Sequence, residues 1–168
     1  MQRLNHQVVG NGPALLLVHG MGSASTAWKI ITPDLAKKFT VVTIDLPGHG
    51  ETPYLVNQPM DPHSLALAVL NEMTELGFTE FDLCGNSLGG WISLEMACIS
   101  PTRIKSVTAL APAGLWLNPY NVRYPATALA RFLARYTAKL APTALHFEWA
   151  RALGFSDVSP RWRDFSYD

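Results

Sequence analysis

This sequence is short of several things, and each shortage removes a class of function. Cysteine occurs only at Cys84 and Cys98 in 168 residues, both within apolar segments. That is no disulfide framework; two thiols in apolar surroundings fit a reduced, cytoplasmic chain with both thiols buried. Net charge is lacking too, since thirteen basic side chains offset thirteen acidic ones with no run of one sign. Charge-driven binding to nucleic acid or to an anionic membrane is thereby excluded. No apolar run is long enough to span a bilayer. The opening residues, MQRLNHQVVGNG, have no apolar core of a secretory signal. His6, His19, His49, His63 and His146 are scattered without metal-ligand spacing, and no HExxH occurs. The glycines after apolar runs never form GxGxxG, which disfavours a dinucleotide fold. No metal and no cofactor are expected.

What remains is a well-filled globular chain. Hydrophobic residues make up 48% of it, too many for a disordered segment. Its length suits one domain with a real core. HQVVG (6–10) is a short strand candidate, and ALLLVHG (14–20) and FTVVTIDL (39–46) are continuous apolar runs of strands buried on both faces. A helix is expected over 26–38, ended or kinked by Pro33. Asp61 and Pro62 form a cap and first-turn pair for a helix running to Gly77. FDLCG (81–85) is a third buried strand, followed by a helix that ends near Pro101, and IKSVTALAP (104–112) is a fourth. Strands alternating with helices predict a parallel sheet covered on both faces. From about residue 115 the pattern changes to two or three short amphipathic helices without strands. Those helices either pack on the sheet or form a lid over a site.

The stretch DLCGNSLGGW (82–91) carries the chemistry. Gly-x-Ser-x-Gly alone is weak, since it arises by chance in roughly one chain in twenty of this length. Here it lies between a strand and a helix, the setting of a nucleophile elbow. A sharp turn there strains the serine so that its hydroxyl faces an open site, and only small residues fit two positions either side. The helix N-terminus adds free N–H groups and a positive dipole end. The alternative is an ordinary helix-capping serine; the context favours Ser87 as nucleophile.

Three motifs together resemble the α/β-hydrolase family: HGMG (19–22), DLPGHGET (45–52) and GNSLGG (85–90). The resemblance implies an α/β fold, a mostly parallel sheet with flanking helices. Residues 1–114 would be the N-terminal part of the core and 115–168 a partial helical cap, the fold being incomplete at the C-terminus. It also implies that the backbone N–H groups of Met21 and Leu88 form the oxyanion hole, each worth on the order of 3 kcal/mol of barrier. His19 is expected to buttress that loop, and His49 and Asp45 to be structural in a turn set by Pro47, Gly48 and Gly50. Trp28, Trp91 and Trp116 are expected in the core or pocket wall.

The rest of a triad is missing. In this fold the order is serine, acid, histidine. After Ser87 the one histidine is His146, in the cap segment, and the one carboxylate between them is Glu95, eight residues into the next helix. That helix should carry Glu95 away from the serine. Family members place both groups beyond the cap, past Asp168, so a fragment or a shortened relative is expected. IKSVTALAP would then be an exposed sheet edge prone to self-association. The expected function is a serine hydrolase acting on a small apolar ester or similar acyl substrate, nearly inactive as this chain alone. The GNS elbow and LAPAGL (110–115) also resemble the meta-cleavage product hydrolases, which break carbon–carbon bonds, although the first loop, HGMGSAST, is shorter in glycine than theirs. A non-catalytic binding module of the same fold is the third reading.

Overall fold

Three apolar runs take the middle of a five-stranded sheet, where both of their faces are covered or flanked. The computed structural model describes residues 3–54, 59–115, 140–144 and 146–155. Strands β1 (His6–Val9), β2 (Ala14–Val18), β3 (Thr40–Ile44), β4 (Phe81–Asn86) and β5 (Ile104–Leu110) lie in the order β1-β3-β2-β4-β5. β1 runs antiparallel to β3 and every other pairing is parallel. The central position of β2 and β3 explains why ALLLV and TVVTI need no polar alternation.

The expected helix over 26–38 is broken in two. A 3-10 turn covers Ser25–Trp28, and α1 is a single turn, Thr32–Leu35. Pro33 has no N–H to donate and sits in the first turn of α1, where none is required. Helix α2 (Pro62–Glu75) is capped by the Asp61 carboxylate, which accepts from the Ser64 N–H at 3.1 Å. Gly77, at φ +82, ends it. Its stripe Leu65, Ala66, Val69, Leu70 and Met73 is buried, each large side chain contributing about 1.5–3 kcal/mol. Helix α3 (Leu88–Ile99) buries Leu88, Ile92 and Met96 on one stripe.

Helices flank both faces of the sheet, and among the described residues the coverage is uneven. α2 and α3 close one face over Leu16, Val18, Val42, Ile44 and Leu83. The 3-10 turn and α1 close only part of the other, over Leu15, Leu17 and Val41. A groove of about 400 Å³ remains beside β4 and β5 on that side. The burial of the two thiols also differs from expectation, though their free state does not. Both are free, Cys84 is half-buried and Cys98 is exposed, because Cys98 falls off the buried stripe of α3.

The chain divides into two compact units, Met1–Trp116 and Leu117–Asp168. In the second, α4 (Ala141–Ala144) and α5 (Glu148–Phe155) are short helices, as the sequence leads one to expect. Phe147 and Trp149 stack there with ring centroids 6.4 Å apart. The first part of the expected helical stretch, and Trp116, lie outside the described residues. No helix among the described residues is long and apolar enough to cross a membrane.

Candidate active site

Strand β4 delivers the chain to Ser87, and α3 starts at the next residue. Ser87 has φ 53° and ψ −114°, a conformation that residues with a Cβ adopt only under constraint. The constraint is visible. The Ser87 N–H donates to Leu110 O at 2.9 Å, and Ser87 O accepts from Ala113 N–H at 3.0 Å and Trp91 N–H at 3.2 Å. The end of β5 therefore holds the elbow on both sides of the residue. Gly85 and Gly89 are required by close approach: a Cβ at Gly85 would collide with Gly89 O, and one at Gly89 with Val18 O. These contacts press the first turn of α3 against the tip of β2.

The loop after β2 lies against the same elbow. A Cβ at Gly20 would come 3.3 Å from the Ser87 Cβ. His19 is buried and holds this loop through both ring nitrogens. Leu46 N–H donates to its Nε2 at 3.0 Å, so Nδ1 carries the proton and donates to Gly20 O at 2.7 Å. Gly20 O also accepts from Ser23 N–H at 3.2 Å. In a trans peptide the N–H points opposite to the C=O, so fixing Gly20 O fixes the direction of the Met21 N–H. Burial, assisted by the nearby His49, lowers the His19 pKa despite its bond to Gly20 and the charge of Asp45. A neutral ring with both nitrogens engaged has no lone pair left to accept a serine proton. His19 is a buttress.

Asp45, 2% exposed, ties three segments together. Its carboxylate accepts from Ser25 N–H at 2.6 Å, Asn5 Nδ2 at 2.7 Å and Glu51 N–H at 3.0 Å. Burial alone would raise its pKa, but these bonds outweigh burial and hold it at about 2. Thr52 adds to the knot, its hydroxyl donating to Asp45 O and accepting from Asn5 N–H, each at 2.8 Å. Thr52 closes the DLPGHGET motif, whereas Asn5 has no signature in the sequence that would single it out.

The three site residues expected from sequence thus fall on two neighbouring segments. Ser87 is half-buried, Leu88 is 9% exposed and follows it directly, and Met21, with an exposed side chain, follows Gly20. Among the described residues neither the Met21 nor the Leu88 N–H has a hydrogen-bond partner, and none bonds to Ser87 Oγ. Glu95 is about 12 Å further along the axis of α3, from a rise of 1.5 Å per residue. Its carboxylate accepts from Trp91 Nε1 at 3.3 Å and lies 3.6 Å from His63 Nδ1. This acid–imidazole pair spans α2 and α3 and was not legible from spacing. Trp91 itself packs on Gly114, while Trp28 is in the core with its indole N–H unpartnered. His146 belongs to the second unit. Among the described residues no cluster of three or more His, Cys, Asp or Glu could hold a metal.

A partly parallel sheet with a strained serine between strand and helix defines the α/β-hydrolase class. A family model described as the alpha/beta hydrolase fold matches residues 13–164, and the chain belongs to that family. It is 36% identical over 108 residues to a pimeloyl-[acyl-carrier protein] methyl ester esterase of Pseudoalteromonas atlantica, covering 64% of this chain and 40% of that protein. It is 38% identical over 104 residues to the dihydrolipoyllysine-residue acetyltransferase component of an acetoin cleaving system from Pseudomonas putida, covering 62% of this chain and 28% of that one. Among solved structures it resembles a meta-cleavage product hydrolase from Pseudomonas fluorescens IP01, at 26% identity and a TM-score of 0.63. That match covers 66% of this chain and 42% of the other. The chain therefore spans well under half the length of these relatives, and what they have in common with it is a hydrolase fold.

Proposed function

We propose that this chain carries the nucleophile and oxyanion half of a serine hydrolase acting on a small apolar ester or similar acyl group. Ser87 is the nucleophile, forming an acyl-enzyme, and the Met21 and Leu88 N–H groups receive the oxyanion. The single observation behind this is the backbone of Ser87, a strained non-glycine residue at a strand-to-helix turn. Similarity to a methyl ester esterase supports the ester class. The exposed apolar side chains Met21, Tyr54 and Leu115, on loops after β2, β3 and β5, suit an apolar substrate. Residues 115–168 are the beginning of a helical cap. The compartment is the reducing cytoplasm, in keeping with two free thiols.

Among the described residues of the first unit no imidazole or carboxylate bonds to Ser87 Oγ, so turnover near background is the expectation for this chain. The test is hydrolysis of a short nitrophenyl ester by this chain and by Ser87→Ala, with and without free imidazole. Equal near-background rates are expected without imidazole, and a Ser87-dependent increment with it. The same increment in Ser87→Ala would remove Ser87 as nucleophile; unaided esterase rates that need Ser87 would show that the chain holds its own base. Carbon–carbon bond hydrolysis is the second reading, favoured by the GNS elbow and the likeness to a meta-cleavage product hydrolase.

A further inference from the structure

We propose that Trp91 is a positioning residue for the reaction: it seats the turn after β5, and that turn aims the Leu88 N–H at the oxyanion. The inference rests on the reading of Ser87 and Leu88 given above. Ser87 and Ala111 are the two non-glycine residues with positive φ among the described residues, at 53° and 43°. β4 pairs with β5 through Asn86 and Leu110, so the two strained residues come next, side by side, on neighbouring strand tips. Strain of this kind gathers where a site needs an unusual backbone. Pro112 accounts for the second instance. Ser87 N–H donates to Leu110 O at 2.9 Å, and a regular parallel ladder would then bring the N–H of residue 112 to Ser87 O. Proline has no N–H to give. The chain turns at Ala111 instead, and Ala113 supplies the donor at 3.0 Å.

That bond acts on the oxyanion donor at once. Ser87 C=O and Leu88 N–H belong to one peptide group and point in opposite directions, so fixing the first fixes the second. The Trp91 N–H, which also bonds Ser87 O at 3.2 Å, makes the helix's own first-turn bond; Ala113 is the donor from outside the helix. Ala113 thus does for Leu88 what His19, through Gly20 O, does for Met21. The turn that carries Ala113 stands on α3. A Cβ at Gly90 would come 3.0 Å from Pro112 Cβ. One at Gly114, whose φ is +83°, would fall on the indole atoms Cδ2, Cε2 and Cε3 of Trp91. The indole is therefore packed against the Gly114 backbone with no room for a side chain between them. Its Nε1 donates to Glu95 Oε1 at 3.3 Å, and the other Glu95 oxygen lies 3.6 Å from His63 Nδ1 on α2. This pair restrains the orientation of the ring.

Two reagents separate aiming an oxyanion from merely holding the fold. In Ser87→Cys a short nitrophenyl ester acylates the thiol at position 87. The thiolate attacks the carbonyl carbon, the carbonyl oxygen becomes the oxyanion, and nitrophenolate leaves as the thioester forms. Iodoacetamide alkylates the same thiol by loss of iodide, and no charge develops on oxygen. Trp91→Ala and Trp91→Leu, the second keeping apolar volume on α3, are made in that background, with folding checked by far-UV circular dichroism. Each should slow acylation about tenfold or more, part of the roughly 10²–10³ that losing an oxyanion donor costs, while alkylation changes by less than about twofold. Trp91→Phe, which keeps an aromatic ring against Gly114, should bring acylation back to within about threefold of the Ser87→Cys rate. Equal slowing with both reagents, slowing with neither, or a phenylalanine no better than leucine would overturn the proposal. Acylation of Ser87→Cys no faster at position 87 than at the exposed Cys98 would remove the underlying reading of Ser87, and this proposal with it.

Discussion

The two sides of the candidate site are built unequally. On the oxyanion side the two buried side chains that hold the loop are fully engaged: His19 uses both ring nitrogens, and Asp45 collects Ser25, Asn5 and Glu51. On the serine side the backbone is just as firmly held, by Leu110, Ala113 and Trp91, yet Ser87 Oγ has no partner among the described residues. Positioning and activation are therefore separable. The local fold, from β2 to the tip of β5, positions Ser87 and the Met21 and Leu88 N–H groups by itself.

If close packing holds the elbow, adding one methyl at Gly89 should have the largest effect. Its Cβ would meet the backbone oxygens of Val18 and His19, which cannot rotate away. Gly89→Ala is expected to cost more than about 3 kcal/mol, at the high end for point changes, in urea unfolding. Gly22→Ala is the control. A Cβ there meets nothing, and only its φ of +71 opposes the change, for a cost of about 1 kcal/mol.

Removing the knot on the oxyanion side should cost somewhat less. Asp45→Ala leaves the N–H groups of Ser25 and Glu51 without acceptors and is expected to destabilise by roughly 2–4 kcal/mol. The same carboxylate sets an acid limit. Its folded pKa of about 2 lies below the ordinary 3.8, so it stabilises the fold fully above 3.8 and loses that contribution as pH falls through 2. The term amounts to on the order of 2 kcal/mol. A urea series between pH 6 and pH 2 should show this slope, and Asp45→Asn should flatten it.

The smallest effect has the opposite sign. Ser87 stores backbone strain of about 1–3 kcal/mol, and glycine would release it at an entropic cost of about 0.5–1. Ser87→Gly should therefore raise stability by roughly 1 kcal/mol in thermal unfolding. A loss of stability would mean that the serine is not strained.

Much of this was legible from local signals. Continuous apolar runs marked β2, β3 and β4 because these strands are flanked on both sides, and Asp61–Pro62 marked the start of α2 because capping chemistry is local. The elbow was legible because its glycines answer to backbone clashes that any such turn creates. What could not be read depends on contacts between distant segments. Asn5 reaches Asp45 forty positions away, and His63 meets Glu95 across two helices. The exposure of Cys98 and the splitting of the segment around Pro33 followed from which residues face the sheet, a matter of rotation that composition does not record.

If Ser87 is positioned but not activated, Ser87→Cys should reveal it directly. A thiol is partly ionised near neutral pH without a base, and a helix N-terminus lowers its pKa further. Incubated with a short nitrophenyl ester, this variant should take up one acyl group at position 87 well ahead of Cys98 and Cys84, as read by mass spectrometry of its peptides. The thiol of Cys98 is exposed and that of Cys84 is raised in pKa by burial, so both serve as internal references. Acylation at position 87 no faster than at Cys98 would contradict the claim that this turn is built to present a nucleophile.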